Sequence, residues 1–236
     1  MDPEQVDGSK TIMVVAPHPD DAESGVGGTM PLFVAKGAKV VIVICTNGDK
    51  GTSDRSYTNA SLAATRAREQ ADAARIIGAQ LVMLGIPDQG MEDNAEIRER
   101  IVRLIRVHRP DILFTMDPSR PYIIHRDHRM TGRVTLDAIF PSARDHMSFP
   151  QHAAEGLEPH KVKLVYLWGT DNADAYFDIS ETIDTKYKAL YAHRSQMGDP
   201  GDEGRMAQRR RRFEEMGKLI GVKYAEGFKK VELPGV

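Results

Sequence analysis

Short apolar runs alternate with longer segments of helical periodicity along the chain, and this alternation predicts strands and helices in turn. Runs rich in β-branched residues are typical of strands buried on both faces, and a recurrence of apolar residues every three to four positions is typical of helices. The predicted strands are Thr11–Ala16, Val40–Cys45, Leu81–Leu84, Asp111–Met116, Val162–Trp168 and Ala175–Ile179. The predicted helices are Gly28–Lys36, Asn59–Ile77, Asp93–His108, Ser180–His193 and Glu203–Ile220.

Several predicted helices carry their own end signals. Gly37 and Gly78 follow the first and second helices and favour a stop there. Asp93 with Glu96 predicts a capping box at the start of the third helix. Residues 141–160 show little periodicity, and we expect a long loop there.

The alternation of strands and helices predicts the fold class. It favours an α/β, Rossmann-like architecture, with a mostly parallel sheet and helices on both faces. The length of 236 residues suits one large domain, and no linker or repeat divides it. We therefore expect a single domain over residues 1–236, with the polar segment 1–10 flexible.

Composition and charge exclude several classes of protein. The formal net charge is −2, so no basic excess favours nucleic acid. Cys45 is the one cysteine, which excludes a disulfide within the chain and a cysteine-based zinc site. The longest apolar run, Val40–Cys45, is far shorter than the ~20 residues that span a bilayer, and the first residues lack signal-peptide features. We expect a cytoplasmic protein without a membrane-spanning segment.

Polar residues follow the first predicted strand directly, in the segment 17–23 (PHPDDAE). Ligands bind beyond the carboxyl ends of strands in open α/β sheets, so His18, Asp20 and Asp21 lie where a site is expected. His with Asp is a common ligand set for zinc. The adjacent second Asp can take a proton from a water molecule that the metal acidifies. The alternative is a solvated polar turn, since Asp and Pro are frequent turn formers.

A second polar group follows the fourth predicted strand. His125 and His128 are three residues apart and share a face on a helical turn, with Asp127 between them. His18, Asp21 and one of these histidines would supply three metal ligands and leave a position open for water, as in hydrolytic zinc sites. The remaining histidine could stabilise a developing oxyanion. The two segments together predict a metal-assisted hydrolase that acts on an acyl-type carbon.

The segments 18–23 (HPDDAE) and 125–128 (HRDH) resemble those of the LmbE-like (PIG-L) N-acetylglucosaminyl deacetylases. Further similar segments are 46–51 (TNGDKG), 66–69 (RARE), 84–90 (LGIPDQG), 143–145 (ARD), 193–196 (HRSQ) and 225–228 (AEGF). The resemblance extends from about residue 11 to about residue 231. It implies an LmbE-like fold and hydrolysis of a linear amide.

The resemblance also implies roles for individual residues. His18, Asp21 and His128 would bind one zinc ion per chain, although another divalent transition metal also suits two histidines and one aspartate. Asp20 would be the general base. His125 would stabilise the oxyanion, and Asp127 would orient His125. Arg66 and Asp88 lie where family members contact the hydroxyls of the sugar.

The implied substrate is a small molecule that contains N-acetylglucosamine (GlcNAc), and the implied assembly is a homo-oligomer, a trimer or hexamer. One alternative is a metal-dependent hydrolase of another N-acyl or phosphoester substrate, although phosphoryl chemistry usually requires more Lys and Arg around the site. A second alternative is a non-catalytic protein that binds a metal or a sugar. Asp20 argues against it, because a simple binder does not need a second, unligated carboxylate.

Overall fold

A computed structural model of the protein describes residues 6–199, 201 and 203–235. The strands are β1 (Thr11–Ala16), β2 (Lys39–Thr46), β3 (Gln80–Ile86), β4 (Ile112–Met116), β5 (Leu164–Trp168), β6 (Ala175–Asp178) and β7 (Ala225–Glu232). The helices are α1 (Asp21–Val26), α2 (Thr29–Ala35), α3 (Asn59–Ile77), α4 (Ala95–His108), α5 (Arg126–Ile139), α6 (Ile183–Leu190), α7 (Arg194–Met197) and α8 (Glu203–Ile220). None of the described helices is long and apolar enough to cross a membrane.

The seven strands form one sheet in the order β3-β2-β1-β4-β5-β7-β6. The five strands from β3 to β5 pair in parallel, whereas β7 is antiparallel to both of its neighbours. The prediction of an α/β, mostly parallel sheet is confirmed. In such a sheet the carboxyl ends of β1, β2, β3 and β4 lie along one edge, so the loops that follow these strands can meet there.

Two separate cores cover the two faces of the sheet. Alternate residues of β1 point to opposite faces. Ile12 and Val14 pack in the core that contains residues of α1, α2 and α3. Met13 and Val15 pack in the core that contains residues of α4 and α5. Burial on both faces is the reason that the central strands are continuous apolar runs.

The predicted helix Gly28–Lys36 corresponds to one of two helices in this region, and the sequence analysis did not predict the other. The structure has a helix α2 over Thr29–Ala35, and a further short helix, α1, begins earlier at Asp21. The sequence around Asp21 is rich in Asp and Pro, which favour turns, so local propensity gave no signal for α1. A six-residue helix depends on its tertiary contacts rather than on propensity.

The strand β7 was not predicted. Because it is antiparallel to β5 and to β6, the sheet contains both parallel and antiparallel pairs. Its sequence, AEGFKKVE, contains Glu, Gly and Lys, which are depleted in strands. Pairing with β5 on one side and with β6 on the other satisfies its backbone in spite of this composition.

Two further helix predictions need correction. The predicted helix Ser180–His193 is divided into α6 (Ile183–Leu190) and α7 (Arg194–Met197). The start of α4 is capped by Asn94, whose side chain accepts a hydrogen bond from the Ile97 N–H, and not by the predicted capping box of Asp93 and Glu96. The Asp93 carboxylate forms ion pairs with arginines instead.

Residues 141–160 form the expected long connection, and it is ordered around a buried arginine. Two 3₁₀ segments, Ser142–Arg144 and Pro150–Glu155, interrupt it. The guanidinium of Arg106 donates to several carbonyl oxygens of this connection, including those of Ser142, Asp145 and Ser148. Of the segment 1–10, residues 1–5 lie outside the described residues, and Val6 is buried in the core.

The Phe114 ring lies at the centre of the sheet and contacts the rings of Phe33, Tyr166, Phe177 and Phe228 at centroid distances of 5.0–6.2 Å. We expect Phe114→Ala to lower the free energy of unfolding by about 3–5 kcal/mol, because it removes a fully buried ring from a packed cluster. Urea denaturation measures this change. Leu219→Ala, at an exposed position, should change it by less than about 0.5 kcal/mol. A loss below about 1 kcal/mol for Phe114→Ala would contradict the central place of this ring in the core.

Candidate active site

The loop after β1 carries the first group of candidate residues. His18 follows the strand, and Asp20 adopts a left-handed backbone conformation with φ 106°, which is strained for a residue other than glycine. The Asp20 N–H donates to Gln70 Oε1 at 3.2 Å, and its carboxylate accepts from Arg66 Nη2 at 3.2 Å. Both partners lie on α3, so this helix holds Asp20 in its strained conformation.

The imidazole of His18 is surrounded by three carboxylates from three different loops. Its Nδ1 lies 3.1 Å from Asp21 Oδ2. Its Nε2 lies 3.1 Å from Asp88 Oδ1, on the loop after β3, and 3.1 Å from Asp127 Oδ2, at the start of α5. His18, Asp88 and Asp127 are all buried. The three loops therefore meet at one imidazole ring.

His125 and His128 approach the same point from the loop after β4. His128 Nε2 lies 3.3 Å from Asp21 Oδ2. The ring centroid of His125 is 4.8 Å from that of His18 and 4.8 Å from that of His128. His125 is exposed and His128 is half-buried. The structure thus brings the two predicted segments into one cluster.

The contacts of Asp127 lie on the side of His18, and its role in orienting His125 stays a prediction. The Asp127 carboxylate contacts His18 Nε2, and it accepts hydrogen bonds from the backbone N–H groups of Gln89 and Met91. Asp127 lies in the first turn of α5 and faces inward, whereas His125 precedes the helix and faces outward. Asp127 therefore joins the loop after β3 to His18.

Arg66 and Asp88, predicted as substrate contacts, are both buried beneath the loops. The Arg66 guanidinium donates to the carbonyl oxygens of Gly48 and Pro19 and to Asp20. Gly48 makes this possible, because a Cβ there would lie 2.7 Å from the guanidinium. Arg66 thus ties together the loops after β1 and β2. A contact of Arg66 or Asp88 with a substrate remains a prediction.

The charges of the cluster shift the pKa values of its members in opposite directions. Burial lowers the pKa of His18, but its hydrogen bonds to Asp127, Asp21 and Asp88 outweigh this effect and raise it to about 11. Burial, followed by the nearby charge of Asp21, raises the pKa of Asp20 to about 7. Burial lowers the pKa of His128, which favours its neutral form. Asp20 thus has the basicity that proton transfer near neutral pH requires.

The donor atoms of the cluster fit a divalent transition metal. Asp21 Oδ2 lies 3.1 and 3.3 Å from nitrogens of His18 and His128. Neighbouring ligands of a tetrahedral zinc ion lie about 3.3 Å apart. Two overlapping groups also have ligand atoms within 4.8 Å of one another, namely His18 with His125 and His128, and His18 with Asp88 and Asp127. Two imidazoles and one carboxylate are a suitable set for zinc.

A layer of buried polar residues, Glu23, Gln70 and His193, lies behind the cluster, and of these the sequence analysis missed Gln70. Gln70 Nε2 donates to Glu23 Oε1 at 2.8 Å, so Gln70 connects Glu23 to the backbone of Asp20. His193 Nε2 lies 3.3 Å from Glu23 Oε2, without the geometry of a hydrogen bond. Gln70 lies four residues after Arg66 on α3, and this helical spacing was the available signal.

A cavity of about 420 Å³ opens beside Asp21 and His128. Trp168 forms part of its wall, and the ring is packed so closely on Gly25 that a Cβ there would lie 2.6 Å from it. The rim includes Arg120 and Asp171, whose side chains form an ion pair at 3.1 Å. The cavity is much larger than an acetyl group, so it has room for a further part of a small molecule.

Sequence and structure comparisons relate the chain to several known proteins. The sequence profile of the GlcNAc-PI de-N-acetylase family, PIG-L, matches residues 13–139. The diacetylchitobiose deacetylase of Thermococcus kodakarensis is 32% identical over 230 residues, which cover 96% of this chain and 84% of the relative. The 1D-myo-inositol 2-acetamido-2-deoxy-alpha-D-glucopyranoside deacetylase of Mycobacterium sp. (strain KMS) is 29% identical, and the match covers 79% of this chain and 74% of that protein.

A solved structure has the same fold over nearly the whole chain. It is the N,N'-diacetylchitobiose deacetylase of Pyrococcus horikoshii, with a TM-score of 0.89 and 31% sequence identity. The match covers 94% of this chain and 84% of that structure.

We expect Arg66→Met to lower the free energy of unfolding by about 2–4 kcal/mol, because it leaves the half-buried Asp20 carboxylate and two loop carbonyls without their donor. Arg68→Met, at an exposed position on the same helix, is the control and should change it by less than about 0.5 kcal/mol. Denaturation without substrate measures both. Equal stabilities of the two variants would contradict a structural role and would favour a role in substrate binding.

Proposed function

The chain belongs to the PIG-L (LmbE-like) family, and we propose that it is a zinc-dependent deacetylase that removes the N-acetyl group from a GlcNAc-containing small molecule. It is an amide-hydrolysing enzyme, as are its named relatives. The observation that carries the proposal is the cluster itself. A metal-binding donor set from two loops lies beside Asp20, a carboxylate whose pKa is about 7.

In this proposal His18, Asp21 and His128 hold the zinc ion. When bound, the ion polarises the amide carbonyl and lowers the pKa of a nearby water molecule. Asp88 and Asp127 remain close to His18 Nε2 and orient its ring, as carboxylates do at many metal sites.

Asp20 acts as the general base and then as the general acid. It accepts a proton from the water molecule that attacks the carbonyl carbon of the acetamide. The proton then passes to the amide nitrogen as the carbon–nitrogen bond breaks, and acetate and an amine are released. Arg66 and Gln70 hold Asp20 in place for both steps. His125, exposed at the same cluster, donates to the oxygen on which negative charge develops.

The cavity beside Asp21 and His128 is where we place the rest of the substrate. Its volume of about 420 Å³ suits a sugar ring with a substituent. Trp168 and the Arg120–Asp171 pair give it the mixture of an apolar wall and polar groups that a sugar requires. The two relatives are named for diacetylchitobiose and for an inositol glycoside of acetylated glucosamine, and each of these compounds contains a second ring beside the acetylated sugar.

Metal content and acetate release test the proposal directly. We expect about one zinc ion per chain in protein purified without chelators, and release of acetate from diacetylchitobiose. Removal of the metal with a chelator should abolish this release, and added zinc should restore it. A metal-bound protein that releases no acetate from any GlcNAc conjugate would contradict the substrate. A protein that binds no metal would contradict the proposed site.

Asp20→Asn tests the general base. We expect the variant to keep its zinc and to lose about a hundred- to ten-thousand-fold in kcat, because the amide cannot accept the proton. Asp72→Asn, at an exposed position on α3, should leave kcat unchanged. Steady-state acetate release, normalised to zinc content, measures both variants. A zinc-loaded Asp20→Asn enzyme with the kcat of the unmodified protein would refute the assignment.

A further inference from the structure

A buried ion pair separates α1 from α2, close behind the active site. In a continuous helix the Gly28 N–H would donate to the Ser24 carbonyl, four residues earlier. Here the Gly28 N–H donates to Glu226 Oε1 at 2.9 Å, and the Ser24 carbonyl accepts from Lys186 Nζ at 2.7 Å. Lys186 Nζ and Glu226 Oε1 are 2.7 Å apart. The pair therefore occupies the place of one helical hydrogen bond, and α1 and α2 are two separate helices on either side of it.

Lys186 and Glu226 each form several hydrogen bonds at the boundary between α1 and α2. Lys186, on α6, gives its three ammonium donors to Ser24, to the carbonyl of Glu23 and to Glu226. The Glu226 carboxylate, on β7, also accepts from the N–H and the hydroxyl of Thr29. The side chains of Lys186 and Glu226 are only 1% and 2% exposed. Water therefore cannot replace either partner at low cost.

The helix that ends at this pair also positions the site. α1 has six residues, with Asp20 at its N-cap and Asp21 as its first residue. Glu23, near its end, accepts from Gln70, which in turn holds the backbone of Asp20. A shift at the end of so short a helix is passed on to its start, because six residues form fewer than two helical turns.

We propose that Lys186 and Glu226 are positioning residues of the active site, which set the direction of α1 and thereby the places of Asp20 and Asp21. Both lie outside residues 13–139, the part of the chain that the family profile matches. The kinetic part of this inference rests on the proposed deacetylase function. The part that concerns metal binding by Asp21 depends only on the cluster.

The orientation of the two charges towards the backbone distinguishes a positioning role from a simple ion pair. The ammonium group faces carbonyl oxygens and the carboxylate faces N–H groups. Exchanging the two side chains would keep an ion pair, but it would place a carboxylate against carbonyls and an ammonium against N–H groups. An ion pair that only holds α6 to β7 would tolerate this exchange. A pair that satisfies the backbone carbonyls of α1 and the N–H groups at the start of α2 would not.

Four variants test the inference: Lys186→Met, Glu226→Gln, the exchange Lys186→Glu with Glu226→Lys, and the control Lys188→Met. Lys188 is exposed and lies two residues from Lys186 on α6. Zinc affinity of the chelator-stripped proteins is measured by competition with a chromophoric chelator. The kcat and KM for diacetylchitobiose are measured on zinc-loaded protein, and thermal unfolding gives the folded fraction.

We expect the first three variants to bind zinc about 10–100-fold more weakly, the range for loss of groups that support metal ligands. Their kcat per zinc-loaded, folded protein should fall about tenfold or more, because Asp20 is displaced. Glu226 also lines the cavity beside Asp21 and His128, whereas Lys186 does not, so a KM within about threefold is expected of Lys186→Met alone. Lys188→Met should match the unmodified protein in all three measurements.

Unchanged zinc affinity and kcat in folded Lys186→Met, or an active exchange variant, would overturn the inference. If Lys186→Met does not fold, Glu226→Gln decides, since it keeps the shape of the side chain and removes its charge and one of its two acceptor oxygens. If the unmodified protein releases no acetate, the proposed function fails, but zinc affinity together with amide hydrogen exchange in α1 still tests the positioning role. If the amides of α1 exchange as slowly in Glu226→Gln as in the unmodified protein, this result would contradict the positioning role.

Discussion

The imidazole of His18 is the contact on which the rest of the site depends. It lies at the carboxyl end of β1, the middle strand of the five that pair in parallel, and three loops place a carboxylate against it. Each of these carboxylates is stabilised by the shared ring, since isolated buried charges would be costly. The same arrangement makes a metal a natural occupant of the cluster, because a divalent cation balances clustered carboxylates better than a ring nitrogen does.

Around His18 the site is built in layers that come from distant parts of the chain. Arg66 and Gln70 reach it from α3, and Asp49, whose carboxylate accepts from the Asp88 N–H, fixes the loop after β3. Behind these, Lys186 and Glu226 satisfy the backbone groups where α1 ends. The strained backbone of Asp20 persists because these contacts over-determine its position. A rigid support of this kind is what precise placement of a reacting group requires.

Much of this arrangement was predictable, and the failures have definite physical causes. The central strands and α3 were predictable because burial on both faces, or a long stripe of small apolar residues, leaves a strong periodic signal. The helix α1 and the strand β7 were not, because their own residues favour turns or solvent and only pairing and the buried ion pair stabilise them. Lys186 lies three residues after Ile183, on the buried side of α6, but a lysine there resembles a solvated position until Glu226 is seen beside it.

The sequence by itself determined the fold class, the family and the two polar segments that meet at the sheet edge. These depend on local periodicity and on residue types next to strand ends, which a single chain displays directly. The tertiary structure alone decided that Asp127 contacts His18, that Arg66 lies beneath the loops, and that Lys186 and Glu226 form an ion pair at the end of α1. Contacts of this kind join residues up to 198 positions apart, and their partners are set by packing across the sheet, which no local pattern records.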